Sequence, residues 1–435
     1  MTGPNAKGAL TFSEDTGSEA YVQIALKRSP AIRAAAFKVD RLTERIPQAT
    51  SLDDPMLSVV PIGEMAETAE GQVGLMSRVS QKLPYPGKLD AKGRIAQQAV
   101  AMAVQELNDT RLRIVADTRR AYWSYYFTTR GIEVVQKDRD LIRQFRDVAE
   151  AKYKAGTATQ QDVLRASVEL SNLDNELLTL RQRQTTAVAM LNRLLDRPIN
   201  APLPEPRTIE LKRISLQLDK LLADAAIYNP RLKKIHERIQ MSREQLQLAR
   251  LGRRPDLTVS LSYNAVDSSG TAPSATGEDQ WWLGFGINLP IWAAKLDAAE
   301  QEALKGMFQG IAELTDESNA IAFRIQDALV KVETQQRQVI LFRDVIIPQA
   351  RQTVEASDSG YRAGKTDFLT LVDNWRKLLD FQLLYHRSLA QLEKDFADLQ
   401  RVVGRDLKRT TVPIETAPDT HANASTQEDG SDHHE

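Results

Sequence analysis

The carboxyl-terminal segment holds three of the five histidines of the chain. The sequence ends HANASTQEDGSDHHE, and His421, His433 and His434 lie there beside acidic residues. Imidazole and carboxylate groups bind transition metals, so a metal-sensing tail is one interpretation. The segment is polar and shows no apolar pattern, which favours a solvated, disordered tail over residues 406–435. We therefore predict no metal site and no cofactor.

The other reactive side chains form no catalytic group. His236 and His386 each lie alone in a helical stretch, without a nucleophile or metal ligand at motif spacing, and no phosphate-binding GxxxxGK[ST] loop occurs. The chain contains no cysteine, which excludes disulfides, thiolate metal sites and a cysteine nucleophile. Its 57 basic and 58 acidic residues nearly cancel, so nothing indicates nucleic-acid binding. We predict that the protein is not an enzyme.

Several short phrases occur twice in the same order, which indicates an internal duplication. ALKRSPAIR at 25–33 matches AAIYNPRLK at 225–233, and the two Leu-Pro pairs align Pro84 with Pro290. YKAGTATQQDVLRA at 153–166 matches YRAGKTDFLTLVDN at 361–374. Chance similarity would not keep its order over most of the chain. The sequence therefore predicts two copies of one structural unit.

The composition between and beyond the copies predicts the domain boundaries. The segment DRPINAPLPEPRTIEL contains four prolines, which no helix would accept, and is predicted to be a linker. We predict a disordered segment over 1–19, repeat 1 over 20–197, a Pro-rich linker over 198–214, repeat 2 over 215–405 and the tail. Each repeat is expected to contain a helix, a β-hairpin (about 55–84 and about 256–290), a very long helix and a further helix. The fold class is mainly α with a small β part.

The predicted hairpins have one apolar and one polar face. From Leu257 to Ala265 the odd positions are apolar and the even positions are Thr, Ser, Ser and Asn. From Trp281 to Ile291 the odd positions are again apolar, and the even ones include Gly284, Gly286 and Asn288. In repeat 1, Val73, Leu75, Val79 and Leu83 are predicted to share one face. Such alternation, apolar outside and polar or small inside, is typical of transmembrane barrel strands.

Most of the remaining sequence predicts helix. Residues 88–154 contain no proline, and one helix over this range would be about 100 Å long. In repeat 2 the corresponding range, 294–362, contains Pro348, where we expect a kink or a helix join. Each long helix ends at Tyr-x-Ala-Gly, where the glycine is predicted to form a left-handed C-cap. Thr159 and Asp162 resemble a capping box for the next helix.

The predicted strands need partners from other chains. In a bilayer no strand edge can stay unpaired, and four strands are too few to close around water. Three chains with four strands each would form a twelve-stranded barrel. The chain would pass from strand to helix at Pro84 and Pro290, since proline ends a hydrogen-bond ladder. Trp281 and Trp282 are predicted to anchor the barrel at the membrane interface, with structural packing as the alternative.

With these features the chain resembles the TolC family of outer-membrane efflux channels over residues 20–405. The resemblance depends on the ALKRSP and AAIYNP openings, the QKLPYPGKL and GFGINLPIW junctions, and the two YxAG segments. It implies a homotrimer with a β-barrel in the outer membrane, a tapered α-helical barrel in the periplasm, and the linker and tail as an equatorial girdle. It also implies a periplasmic adaptor protein and an inner-membrane pump of the resistance-nodulation-division type as partners. The channel would be a passive exit duct for metal ions or drugs, and QKLPYPGKL looks closest to the heavy-metal efflux branch.

The resemblance also assigns site residues. The hairpin tips would lie at the periplasmic mouth and dock the adaptor through Tyr153, Gly156, Tyr361 and Gly364, with plain helix capping as the alternative. Asp373 aligns with one of two acids that ring the closed aperture, and its alternative role is an ordinary exposed carboxylate. The other acid is replaced by Thr370, and Asp367, one turn away, is the candidate to compensate.

A soluble coiled-coil scaffold is the rival interpretation. No stretch of about 18 apolar residues exists, so the sequence predicts no transmembrane helix. The start, MTGPNAKGAL, lacks the basic end and apolar run of a signal peptide, which taken literally predicts a cytoplasmic protein. A removed leader is the competing explanation. The scaffold hypothesis leaves the alternating strands unexplained.

Overall fold

Two similar units succeed each other along the chain. The computed structural model describes residues 17–63, 66–207, 214–269, 271, 273 and 275–407. The first unit contains α1 Ser18–Arg28, α2 Pro30–Thr43, α3 Arg45–Thr50, β1 Met56–Pro61, β2 Glu67–Thr68, β3 Gly71–Leu83, α4 Lys88–Lys154 and α5 Gln160–Leu194. The second contains α6 Leu218–Tyr228, α7 Pro230–Leu251, β4 Leu257–Asp267, β5 Gln280–Ile287, α8 Ala293–Leu341, a π-helical segment Phe342–Ile346, α9 Ile347–Arg362 and α10 Phe368–Val403. The predicted two-repeat, mainly helical fold is confirmed.

The long helices follow from composition and end where prediction placed them. Helix α4 runs without interruption for 67 residues, about 100 Å at about 1.5 Å per residue. Its counterpart stays helical but widens into the π-helical segment Phe342–Ile346 just before Pro348, because proline lacks the N–H that the preceding turn needs. Each of α2 and α7 begins with a proline, Pro30 and Pro230, whose fixed backbone suits the first helical position. Within the described residues, no helix has an apolar stretch long enough to cross a membrane.

All strands form one antiparallel sheet. Its order is β1-β3-β4-β5, and the short β2 pairs with β3. A bulge at Gly74 shifts the register, so that Val73 pairs with Val266 whereas Leu75 pairs with Ala265. The extra residue turns Val73 to the opposite face, and the prediction that it shares a face with Leu75 is wrong.

Buried side chains form three clusters along the helices. One surrounds Trp123 where α1, α2, α4, α5 and α10 meet, one surrounds Trp375 near the α4–α5 and α9–α10 hairpin tips, and one surrounds Phe396 between α6, α8 and α10. Each cluster packs together helices that are distant in the sequence. The helices therefore contact one another at three positions along their length.

The predicted terminal segments lie largely outside the described residues. This applies to 1–16, to 408–435 and so to all three tail histidines, and to 208–213 of the linker. Helix α1 already begins at Ser18, inside the segment predicted to be disordered. Leu407 is buried, and its carbonyl accepts a bond from Gln400 Nε2 at 3.3 Å, so the disorder predicted from 406 does not apply to the first two tail residues.

Candidate functional site

An exposed apolar surface covers one face of the sheet. Cross-strand pairs place Leu57, Val79, Leu261 and Leu283 in one row over four strands. These side chains are 65, 45, 51 and 53% exposed. On β5 the same face presents Trp281 and Phe285, which are 72 and 70% exposed. The helices of the chain therefore leave this face uncovered, which is unusual for so large an apolar area on a soluble protein.

The opposite face of the sheet is more polar, although Met56, Val60 and Met76 also lie on it. Ser58, Arg78 and Ser262 lie in one row, and Arg78 Nε donates to Ser262 Oγ at 3.1 Å. The next row contains Ser80, Ser260 and Gly284. Trp282 pairs with Ser262 and so belongs to this face. Because adjacent residues of a strand point to opposite sides, Trp281 shares the apolar face and Trp282 does not. The role of the two residues as an interfacial anchor stays a prediction.

The sheet has two open edges. Strand β1 pairs only with β3, and β5 pairs only with β4, within the described part of the chain. Each edge therefore offers a row of backbone N–H and C=O groups to a further strand.

The strand-to-helix junctions are built around one carboxylate. Pro84 directly follows β3, whereas Pro290 lies three residues beyond the end of β5 at Ile287. Asp256 Oδ1 accepts bonds from Lys88 Nζ at 2.6 Å and from the backbone N of Tyr85 at 2.9 Å. Lys82 Nζ lies 3.2 Å from Asp256 Oδ2. Asp256 thus joins the junction of repeat 1 to the first strand of repeat 2, a role that sequence reasoning missed.

An exposed apolar segment also continues past β5. Leu289, Ile291 and Trp292 are 67, 69 and 71% exposed. Trp292 stands at the N-cap of α8, at the opposite end of β5 from Trp281. The sequence predicted strand alternation as far as Ile291, and it made no prediction for Trp292.

Both hairpin tips have the same backbone geometry. Gly156 and Gly364 have φ values of +73° and +74°. Thr157 N donates to Lys152 O at 2.9 Å and Gly156 N to Tyr153 O at 2.9 Å. The second tip repeats the pattern with Lys365 N to Gly360 O at 2.8 Å and Gly364 N to Tyr361 O at 3.1 Å. These are the paired bonds of a Schellman motif, which needs a residue that tolerates positive φ.

The two tip tyrosines lie in different environments. Tyr361 is 5% exposed, its ring centroid lies 5.2 Å from that of Phe368, and its hydroxyl donates to Asp162 Oδ2 at 3.5 Å. Burial, together with the nearby Asp162 carboxylate, raises the pKa of Tyr361 to about 12. Lys152 donates to the Tyr361 carbonyl, and its Nζ lies 4.6 Å from the ring centroid. Tyr153 is 47% exposed, so only this tyrosine is freely accessible at a tip.

The helices that follow the tips are capped differently. Thr159 Oγ1 donates to the Asp162 side chain at 3.0 Å and accepts no bond from a backbone N–H in the first turn of α5. The predicted capping box is therefore wrong. Asp367 is the N-cap of α10 and accepts from Thr370 N at 2.7 Å. The carboxylate of Asp367 is therefore engaged with the backbone, and these bonds lower its pKa.

Asp373 lies six residues beyond Asp367, nearly two turns along α10, and is exposed. Lys377 Nζ donates to its Oδ2 at 2.7 Å, an i,i+4 pair on the surface of the helix. Asp373 and Asp367 thus lie near the same tip and both are exposed, but the Asp367 carboxylate also caps the helix. No group of three or more potential metal-ligating side chains occurs among the residues that the structure describes.

Comparisons with known proteins agree with this architecture. A family described as outer membrane efflux protein matches residues 21–197 and 221–405, one match per repeat. The cobalt-zinc-cadmium resistance protein CzcC of Cupriavidus metallidurans is 22% identical over 421 residues, covering 92% of this chain and 91% of that protein. The outer membrane protein TolC of Salmonella enteritidis is 20% identical over 456 residues, with 97 and 91% covered.

A solved structure shares the fold. The outer membrane protein VceC from Vibrio cholerae superposes with a TM-score of 0.75 and 19% identity, over 89% of this chain and 96% of that one. The family match spans both repeats and includes the sheet, the long helices and the tips. The chain therefore belongs to the outer membrane efflux protein family, the TolC-type outer-membrane channels of tripartite efflux systems.

Proposed function

We propose that three copies of this chain close their sheets into one twelve-stranded barrel in the outer membrane and form a passive exit duct. The observation that carries this proposal is the row Leu57, Val79, Leu261 and Leu283, exposed on a sheet with two open edges. Lipid would cover the apolar row, and a neighbouring copy would pair with each edge. The polar row around Ser262 would then face the water-filled lumen.

Disulfide cross-linking tests the barrel. Because the chain has no cysteine, one cysteine can be introduced on each edge of the sheet. The double variant carries Val59→Cys on β1 and Phe285→Cys, or a cysteine at a neighbouring residue, on β5. Oxidation in membranes should yield covalent dimers and trimers. A matched cysteine at Ser80, on the central β3, should yield none. Recovery of only soluble monomers would contradict the proposal and favour the soluble coiled-coil scaffold.

The hairpin tips are proposed to dock a periplasmic adaptor, which would connect the duct to an inner-membrane pump of the resistance-nodulation-division type. The two Schellman turns at Gly156 and Gly364 present rigid helix ends, and Tyr153 is the exposed aromatic side chain between them. Exposed aromatics on rigid turns are common interface anchors. Copurification of the adaptor with Tyr153→Ser, compared with Tyr228→Ser far from the tips, tests this role.

Asp373 is proposed to line the closed aperture, with Asp367, an exposed carboxylate at the N-cap of α10, as the candidate second acid. Three copies would bring three carboxylates to the axis and attract cations. Single-channel recordings should show weaker block by divalent cations in Asp373→Asn than in wild type. Equal block in both would contradict the assignment.

Divalent metal ions are the proposed cargo. The supporting observations are the QKLPYPGKL junction and the likeness to a cobalt-zinc-cadmium resistance protein. A strain that lacks this gene should become sensitive to zinc, cobalt or cadmium salts and keep its tolerance to organic drugs. The reverse pattern would assign drugs as the cargo.

A further inference from the structure

The more polar face of the sheet contains an arginine without a counter-charge. Arg78 of β3 is exposed, and its Nε donates to Ser262 Oγ of β4 at 3.1 Å. Ser262 is itself only 2% exposed, so this bond holds the arginine side chain across the neighbouring strand. No carboxylate among the described residues forms an ion pair with the Arg78 guanidinium. Its positive charge is therefore uncompensated.

The other charged side chain on this face lies at its helical end. The positions of the face that pair across β1, β3, β4 and β5 contain no acidic residue, and apart from Arg78 their one basic residue is Lys82. Lys82 lies at the junction with the helices, where its Nζ is 3.2 Å from Asp256 Oδ2, so its charge is partly compensated. Arg78 lies four residues further along β3, beyond this ion pair.

The acids of the described strands and their ends lie away from Arg78. Glu67 and Asp267 both pair with Gln72, at the end of the sheet remote from the helices. Gln72 is six residues from Arg78 along β3, which corresponds to about 20 Å. Asp279, just before β5, accepts a bond from a tyrosine hydroxyl on the apolar face. Arg78 therefore sets the sign of the charge in the middle of the more polar face.

Closure of three sheets into one barrel would place three copies of Arg78 around the lumen. A barrel of twelve strands, spaced about 4.8 Å apart and tilted by about 40°, has a backbone radius of about 12 Å. A side chain that lies over the neighbouring strand projects only part of this distance inward. Each Arg78 charge is then roughly 8 Å from the axis, which is about one Debye length at physiological ionic strength. Three charges at this distance act together on any ion in the lumen.

We propose that Arg78 forms a ring of three positive charges inside the barrel, which makes the outer end of the duct favour anions over cations. This inference rests on the proposed function, because a single chain encloses no lumen. Coulomb's law with the dielectric constant of water and this screening enriches anions on the axis about 2.5-fold and depletes cations about 2.5-fold. The resulting preference for anions is about sixfold. The ring slows the passive return of exported cations, whereas their export is driven by the pump.

Reversal potentials of single channels in a tenfold KCl gradient test the ring. A fixed charge acts most strongly beside the dilute solution, where the Debye length is about 30 Å at 0.01 M salt. With the dilute solution on the side of the strand loops, Arg78→Gln should lower the permeability of chloride relative to potassium about sixfold. With the gradient reversed, the concentrated salt screens the ring and the change should be smaller. Arg78→Lys is the matched control, since it keeps the charge and should keep the wild-type ratio.

A second variant keeps the test valid if Arg78→Gln does not assemble. Ser262→Asp places a carboxylate beside the Arg78 guanidinium and should shift the ratio in the same direction. A change of less than twofold in conducting trimers of both variants overturns the ring and leaves the duct in place. An equal shift in Arg78→Lys also overturns the ring, because the charge is then not the cause. A wild type without conductance refutes the duct itself, and the ring with it.

Discussion

Replacing Asp256 by asparagine should loosen the junction between sheet and helices. The side chain is 10% exposed and accepts bonds from Lys88, Lys82 and the backbone of Tyr85. Lys88 is also enclosed, with only 12% of its side chain exposed. Removal of one partner of a buried ion pair costs about 3–5 kcal/mol, and the amide retains some of the bonds. We therefore expect a loss of about 3 kcal/mol in the free energy of unfolding, because the Lys88 ammonium stays buried without its counter-charge.

The assay is thermal or guanidinium unfolding in detergent, followed by tryptophan fluorescence. Asp297→Asn is the matched control, since Asp297 pairs with Arg253 while 63% exposed and should cost about 0–1 kcal/mol. Adding Lys88→Met to Asp256→Asn should recover part of the loss, because the uncompensated ammonium is then gone. Equal effects of Asp256→Asn and Asp297→Asn, or no recovery in the double variant, would refute the reasoning.

Three other outcomes follow from local geometry. Gly156→Ala should cost about 1 kcal/mol of stability at the tip because Gly156 has a positive φ. Gly306→Ala should instead stabilise by about 0.5–1 kcal/mol, because Gly306 lies inside α8 with open space around it. Thermal unfolding measures both changes. Gly404→Ala should cost about 2–3 kcal/mol in the same assay, since its φ is +94° and an added Cβ would lie 2.7 Å from a backbone oxygen. Raising the pH from 10 to 12 should destabilise wild type, because the unfolded chain ionises its tyrosine while the folded Tyr361 keeps its proton. Tyr361→Phe should remove at most about 2 kcal/mol of that loss, as followed by alkaline unfolding curves, and Tyr153→Phe at the exposed tip tyrosine is the control.

Sequence reasoning predicted the helices better than the strand ends. Helix α4 has the predicted bounds because its composition is uniform and its ends carry clear signals, Gly87 before it and Gly156 after it. The apolar alternation of β5 continues to Ile291, yet the ladder ends at Ile287. Apolar periodicity indicates which face of a segment is apolar, but it does not indicate where backbone pairing stops. Strands predicted from it therefore extend too far. A bulge such as the one at Gly74 adds one residue without changing composition, and the pattern cannot reveal it.

The candidate site likewise contains features that the sequence predicted and features that it did not. Local signals placed the glycine turns of the tips and the apolar strand face. Contacts between distant residues were not readable: Lys88 and Asp256 are 168 positions apart, and Asp138 and Trp375 are 237 apart. A single carboxylate in a helical stretch has the same appearance whether it is buried or solvated. Only the packing of α4 against α10 distinguishes Asp138 from exposed acids such as Asp373.

The hairpin tips of the two repeats share one backbone geometry, but their tyrosine side chains make different contacts. In repeat 2, Tyr361 is enclosed and its tip is fastened to repeat 1 through Lys152 and Asp162. In repeat 1, the corresponding Tyr153 faces solvent. The repeat 2 tip therefore depends on repeat 1 for its position, whereas the repeat 1 tip has a side chain free for a partner. If the proposed docking is right, changes at Tyr153 should weaken adaptor binding at unchanged tip stability. Changes at Tyr361 should first alter the exchange and stability of the tip itself.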